Sequence, residues 1–293
     1  MSIPTIATYP MPSSRELPDN RVDWQPDPAR ALLLIHDLQD YFLGFYDRSR
    51  EPIPELLHNI VALRDACDAA GVPVAYTAQP TEQSAHQRGL LQAWWGAGIT
   101  AQPQLAPVAS ALAPRPHDRL LTKWRYSAFV STGLREHMRA LGRDQLIVCG
   151  IYAHIGCQLT VADAFMQDIE PFLVADAVAD FSAAEHAQAL DYVSRRCGVV
   201  LPVRACIDAL AATPRLPDSL LALRQELARV IELPLAAVEA DDNPFHLGLD
   251  SIRLMELLER WTAAGAQLEL VELAERDSVA QWWQLIDARR QAA

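Results

Sequence analysis

No stretch of this 293-residue chain approaches the roughly 18 consecutive apolar residues that a membrane helix needs. Its opening residues, MSIPTIATYPMPSSRELPDN, lack both a cationic leader and an apolar run behind it, so no secretory signal is read there and a soluble, cytoplasmic protein is expected. Cysteine is scarce. Cys67, Cys149, Cys157, Cys197 and Cys206 are odd in number, fall mostly inside apolar runs and include no Cys-x-x-Cys pair, which argues against a disulfide frame and against zinc. The chain also lacks any cluster of Lys and Arg, and its net charge of −12 argues against a nucleic-acid backbone as partner. With 51% apolar residues and only 12 glycines it does not read as disordered.

The decapeptide Gly248-Leu-Asp-Ser-Ile-Arg-Leu-Met-Glu-Leu257 is the most informative stretch. It places the Ser251 hydroxyl at the first turn of an amphipathic helix whose apolar positions are Ile252, Leu254, Met255, Leu257 and Leu258. Backbone N–H groups and the helix dipole at such an end favour an anionic adduct such as a phosphodiester. The same letters would also serve an ordinary helix capped by Asp250 or Ser251. The run from Phe245 to Met255 resembles the attachment motif of acyl, peptidyl and aryl carrier proteins, and the resemblance implies that Ser251 carries 4'-phosphopantetheine. From Pro217 onward there are 14 Asp and Glu against 7 Arg and no Lys, a surface suited to basic partner enzymes or simply to water.

A carrier module takes only about 75–80 residues, so a larger domain must precede it. Six short apolar runs punctuate that region: Ala31–His36, Val72–Thr77, Leu120–Lys123, Gln145–Gly150, Pro171–Asp176 and Gly198–Val203. They alternate with helical patterns over Ile53–Ala70, Gly133–Leu141, Gly156–Met166 and Ser182–Arg196. The alternation predicts a three-layer α/β domain with a parallel sheet covered on both faces. The stretch from Thr213 to Ser219 carries two prolines and breaks both periodicities. The expected division is an α/β domain over residues 1–212, a linker over 213–217 and an all-α, four-helix carrier domain over 218–293. Within the last, Ser219–Ile231 reads as a first helix, Asp241–Asp250 as the loop before Ser251, and Ser278–Arg290 as a last helix.

Ligands bind beyond the carboxyl ends of parallel strands. There the sequence offers His36-Asp37, Thr77-Ala78-Gln79-Pro80, Lys123-Trp124-Arg125-Tyr126 and Gly150-Ile151-Tyr152-Ala153-His154. With Asp37 and Lys123 at matching strand ends, the run Gly150-Ile-Tyr-Ala-His-Ile-Gly-Cys-Gln-Leu-Thr-Val-Ala-Asp-Ala164 resembles the strand-to-helix turn of the isochorismatase-like cysteine hydrolases. Those relatives use an Asp, a Lys and a nucleophilic Cys. In register with them, the nucleophile position here is Gly156. Cys157 comes one residue later, about 100° around a helix, which turns its side chain away.

The exchange of Gly for Cys matches true isochorismatases, and the resemblance implies hydrolysis of the enolpyruvyl ether of isochorismate to pyruvate and 2,3-dihydro-2,3-dihydroxybenzoate, with neither covalent intermediate nor metal. Asp37 is the expected acid, in an apolar setting built by Ile35, Phe42 and Trp95; Lys123 opposes its protonation and is expected to orient it, with the dianionic substrate partly cancelling its effect. Gln79, Arg88 and Tyr152 are the expected substrate contacts together with Phe42 and Trp95, Arg88 as a bidentate carboxylate clamp. His36, His154, Asp37 and Asp40 lack metal-ligand spacing, the Asp-x-His motif of metal-dependent nicotinamidases is missing, and both histidines are expected to hydrogen-bond within their turns.

Taken whole, the chain resembles the bifunctional isochorismatase and aryl carrier proteins of catechol siderophore assembly, of enterobactin or vibriobactin type. That implies a phosphopantetheinyl transferase, an aryl-adenylating enzyme and a condensation-domain synthetase as partners, and a homodimer through the N-terminal domain. Two other readings stay open: a cysteine amidohydrolase fused to a carrier, and an inactive hydrolase scaffold that serves as a carrier or interaction module.

Overall fold

Strand β1 (Ala31–His36) is buried along its whole length, and its side chains alternate between two cores: Leu33 and Ile35 enter one, Leu32 and Leu34 the other. A strand buried on both faces has to be apolar at every position, which is why it reads as a continuous run. In this computed structural model, which describes residues 3–211, 216–217 and 219–292, it lies at the centre of a six-stranded sheet. The others are β2 (Val74–Ala78), β3 (Arg119–Thr122), β4 (Gln145–Ile151), β5 (Glu170–Ala179) and β6 (Val199–Leu201). The order is β3-β2-β1-β4-β5-β6, and each pairing is parallel.

Helices α1 (Ile53–Ala69) and α5 (Val203–Ala211) pack Leu56, Ile60, Leu63, Cys206 and Leu210 on one face. Helices α2 (Leu134–Ala140), α3 (Gln158–Met166) and α4 (Ala183–Arg196) cover the other with Leu134, Met138, Val161, Leu190 and Val193. The three expected layers are present, with local differences. Strand β2 begins at Val74 rather than Val72, because Pro73 has no N–H to donate; its carbonyl accepts from Leu33 N–H at 3.0 Å. Strand β6 stops before Pro202 for the same reason. Helix α3 starts at Gln158, not Gly156, because Ala153–Cys157 form a wide turn closed by Cys157 N–H donating to the Tyr152 carbonyl at 3.2 Å.

The chain divides into two units, Met1–Ala211 and Ala212–Ala293. Of the linker expected at 213–217, residues 213–215 lie outside the described residues. The second unit contains α6 (Leu220–Val230), α7 (Ser251–Ala263), α8 (Leu270–Ala274) and α9 (Val279–Ala292). Leu223, Leu227, Leu257, Trp261, Trp282 and Ile286 form the centre of its core, where the two indoles meet edge to face at 6.5 Å. None of the described helices is long and apolar enough to cross a membrane.

In the first unit the strand order reverses at β1 and β4, which pair directly. Chain leaving the carboxyl ends of these neighbours must diverge, and the crevice so formed is where α/β sheets bind ligands.

Candidate active site and attachment site

Asp37 follows β1 in the left-handed backbone region, with φ of 50°. Few residues other than glycine sit there, and aspartate is among those that tolerate it. Its N–H donates to Thr77 Oγ1 at 3.1 Å, and the Thr77 hydroxyl donates back to Asp37 Oδ1 at 2.6 Å. Lys123, the first residue after β3 and the only lysine in the chain, donates from Nζ to Asp37 Oδ2 at 2.8 Å. The two residues are 6% and 2% exposed. Burial pushes the Asp37 carboxyl up, but Lys123, His36 and the Thr77 hydroxyl together outweigh it, and the net direction is down. The opposition between apolar burial and Lys123 is thus settled toward the carboxylate in the free protein.

Asp37, Lys123 and His36 line a cleft of about 600 Å³, open water at its mouth included, with Gln79, Arg88, Tyr152 and Gly156. The expected site residues Phe42 and Trp95 are brought there as well. Arg88 is 4% exposed; its Nε donates to the Gly96 carbonyl at 3.0 Å and its Nη1 to Gln79 Oε1 at 3.2 Å. No carboxylate of the described residues pairs with it. Gly98, with φ of 60°, makes room for this guanidinium, since a Cβ there would lie 2.2 Å from Nη2. Tyr152 presents its ring, while its hydroxyl donates to the Phe42 carbonyl at 3.0 Å.

Arg125 also lines the cleft, and burial holds His36 at a pKa of about 4 and so neutral. Three cations, Lys123, Arg88 and Arg125, then face one carboxylate, Asp37, for a net charge of plus two in the lining. Such a cleft is complementary to a small dianion. Reasoning from sequence leaves two residues unassigned: Phe181, which lines the cleft, and Thr77, which is hydrogen-bonded to Asp37. Thr77 had a visible signal, a hydroxyl ending an apolar strand, whereas Phe181 arrives from beyond β5 with no motif to mark it.

Gly156 lines the cleft and Cys157 does not. The Cys157 side chain is fully buried in the core beneath α2 and α3, alongside Leu134 and Val161. Burial raises its thiol well above the ordinary range, and the Asp37 and Asp180 carboxylates add to the shift. A thiol so placed is not a nucleophile. The residues weighed as metal ligands are otherwise engaged: His36 Nδ1 lies 2.9 Å from the Ile151 carbonyl, His154 Nδ1 lies 2.5 Å from Asp180 Oδ1, and Asp40 pairs with Arg48.

In the second unit Ser251 is the exposed first residue of α7. Asp250 Oδ1 accepts from Ile252 N–H at 3.0 Å and Arg253 N–H at 2.9 Å. The helix-end N–H groups expected to favour an anionic adduct are therefore already capped by Asp250. What suits Ser251 to modification is accessibility, with the exposed apolar side chains of Ile252 and Met255 beside it.

Residues 31–205 match the isochorismatase domain family and residues 222–286 the phosphopantetheine attachment site family. An isochorismatase of Bacillus subtilis (strain 168) is 42% identical over 303 aligned residues, covering 99% of this chain and 97% of the relative. Enterobactin synthase component B of Escherichia coli (strain K12) is 43% identical over 286, covering 98% of each. The crystal structure of a cysteine hydrolase from Pseudomonas syringae pv. phaseolicola superposes with a TM-score of 0.60 at 24% identity, covering 66% of this chain and 97% of that one, a likeness of fold.

The buried ion pair has a measurable signature. The Asp37 pKa is lowered by folding, so its contribution to stability is fully present above the usual carboxylate range, about 4, and is lost as pH falls through the folded-state value. Lys123→Met removes the cation and leaves burial opposed mainly by the Thr77 hydroxyl, which raises the Asp37 pKa. We expect the variant to be less stable than wild type by about 3–5 kcal/mol at neutral pH, with the gap narrowing toward about pH 4.5 as its lone carboxyl takes up a proton. Thermal or urea unfolding at the two pH values checks this; an equal gap at both would mean that the pair is not ionised in the folded protein.

Proposed function

Since the chain belongs to the isochorismatase family, we propose that its N-terminal unit hydrolyses the enolpyruvyl ether of isochorismate to pyruvate and 2,3-dihydro-2,3-dihydroxybenzoate, while its C-terminal unit serves as an aryl carrier in catechol siderophore synthesis. The observation that carries the first half is the buried Asp37–Lys123 pair facing a residue with no side chain, Gly156, in a cleft of net positive charge. An acid and a cation without a nucleophile suit protonation followed by addition of water.

Asp37 donates a proton to the terminal methylene carbon of the enolpyruvyl group. The resulting oxocarbenium ion is captured by water, whose proton returns to the Asp37 carboxylate, and the hemiketal collapses with transfer of its hydroxyl proton to the departing ring oxygen. Arg88 and Arg125 suit the two substrate carboxylates, Arg88 having no protein carboxylate to satisfy it. The negative charge of the substrate counteracts Lys123 and draws the Asp37 pKa upward as the site fills. Lys123 then fixes the direction of the Asp37 carboxyl. Phe42, Trp95 and Tyr152 provide an apolar floor for the ring, and Gln79 orients Arg88.

Ser251 is the attachment point in the second unit. A 4'-phosphopantetheine there supplies a flexible arm whose terminal thiol holds an aryl group as a thioester. The chain's own contribution is an exposed hydroxyl on a capped helix, with exposed Ile252 and Met255 beside it, in an acidic unit, for a phosphopantetheinyl transferase, an aryl-adenylating enzyme and a condensation-domain synthetase. Family membership also supports a homodimer through the N-terminal unit. Five buried, unpaired cysteines support a reducing, cytoplasmic setting.

Release of pyruvate from isochorismate, coupled to lactate dehydrogenase, tests the first activity. Asp37→Asn should lower turnover by at least about 10²-fold, the usual scale for loss of a general acid, in a protein that remains folded. Near wild-type turnover would remove Asp37 from this role. The reading also requires the thiol to be dispensable, so Cys157→Ala should keep most of the activity; a covalent substrate adduct on Cys157 in mass spectrometry would favour a cysteine hydrolase instead. For the carrier, wild-type protein incubated with coenzyme A and a phosphopantetheinyl transferase should gain the mass of one phosphopantetheinyl group. Ser251→Ala should gain none and still release pyruvate, and modification of that variant would move the attachment point elsewhere.

A further inference from the structure

The side chain missing at Gly156 leaves no empty space. A Cβ built on Gly156 would lie 2.1 Å from His36 Cε1, 2.8 Å from Nε2 and 3.0 Å from Nδ1. These distances fall below or at the limit of any real carbon contact, so the imidazole of His36 occupies the volume that a side chain at 156 would enter. The ring is 1% exposed and is fixed by its bond from Nδ1 to the Ile151 carbonyl at 2.9 Å. Its other nitrogen, Nε2, is buried with no hydrogen-bond partner among the described residues. Both residues line the cleft, His36 immediately before Asp37 and Gly156 on the facing turn after β4.

We infer that His36 and Gly156 form a steric pair that determines the class of reaction this site performs: the imidazole takes the place of a nucleophilic side chain, so the cleft is confined to water as its nucleophile, and neither residue can change alone. The inference rests on the proposed hydrolysis for its meaning, while the pairing itself can be tested without the substrate.

The test is a double-mutant cycle in the full-length protein. His36→Asn keeps an N–H for the Ile151 carbonyl and deletes the ring edge, Cε1 and Nε2, that faces Gly156. Gly156→Cys alone should lower the melting temperature of the N-terminal unit by roughly 5 °C or more, the scale of overpacking in a unit of this size, and reduce pyruvate release at least ~10-fold. Combined with His36→Asn it should melt above Gly156→Cys alone. The new thiol of the double variant should be alkylated by iodoacetamide in the folded protein, against a background of five buried native cysteines. Gly156→Ala, with a single added carbon, gives the same comparison should Gly156→Cys fail to fold; recovery of soluble protein on adding His36→Asn supports the pairing. A Gly156→Cys protein that melts and turns over like wild type, or double variants no more stable than the sum of their single changes, would overturn it. Absence of pyruvate release from the wild type would count against the proposed function alone, because the coupling in stability is measured without isochorismate.

Discussion

An ammonium and a carboxylate held 2.8 Å apart with almost no water around them constrain the whole N-terminal unit. Buried charges are tolerated only when paired and further hydrogen-bonded, and both conditions are met here by three different strand ends: β1 supplies Asp37, β2 Thr77 and β3 Lys123. A sheet out of register by one residue would strand one of these groups on the wrong face. The pair is therefore as much a condition on the fold as a feature of the chemistry. The one lysine of the chain is thus the cation of this pair. A compact ammonium presents a point charge to one carboxylate oxygen, Oδ2, and leaves the other, Oδ1, to the Thr77 hydroxyl.

Around this pair the cleft combines apolar walls with unmatched positive charge. Arg88, buried and without a carboxylate partner among the described residues, is costly unless an anion completes it. Its geometry depends on Gly98 and on Gln79, itself held by buried Gln39, whose Nε2 donates to the Gln79 and Ala106 carbonyls. The segment between β2 and β3, with little regular structure beyond short turns, is thereby tied to the end of the sheet at the cleft. Binding of a dianion would satisfy Arg88, offset Lys123 and favour the protonated form of Asp37, so recognition and activation draw on the same charges.

The second unit solves a different problem. It is small, and two indoles, Trp261 and Trp282, supply much of the buried apolar surface a short bundle needs. The residue proposed as its attachment point is not embedded in that core. Ser251 stands at the start of α7 because Asp250 caps the helix one residue earlier, leaving the serine hydroxyl free of structural duty. The polar groups of the first unit's site are buried and mutually bonded; here the site consists of exposure, which is what successive encounters with modifying, loading and unloading enzymes require.

Much of this was legible in the amino-acid sequence. Continuous apolar runs separated by helical periodicity dictate a parallel sheet covered on both faces, and every run became a strand within a few residues; two of the differences fall at Pro73 and Pro202, where no N–H is available, and β5 runs on three residues past Asp176 to Ala179. The motif around Ser251 and the positions of Asp37, Lys123 and Gly156 could be read from local spacing and resemblance. Sequence could not order the strands, because the order depends on pairings between segments far apart in the chain, and only the adjacency of β1 and β4 brings Asp37 opposite Gly156. Nor could it decide the balance between burial and Lys123 at Asp37, which turns on a distance of 2.8 Å and on the hydroxyl of Thr77. The identity of a residue sets what charge or volume it brings; what that charge or volume meets is set by the packing of strands that the chain joins through long crossovers, and so belongs to the tertiary structure.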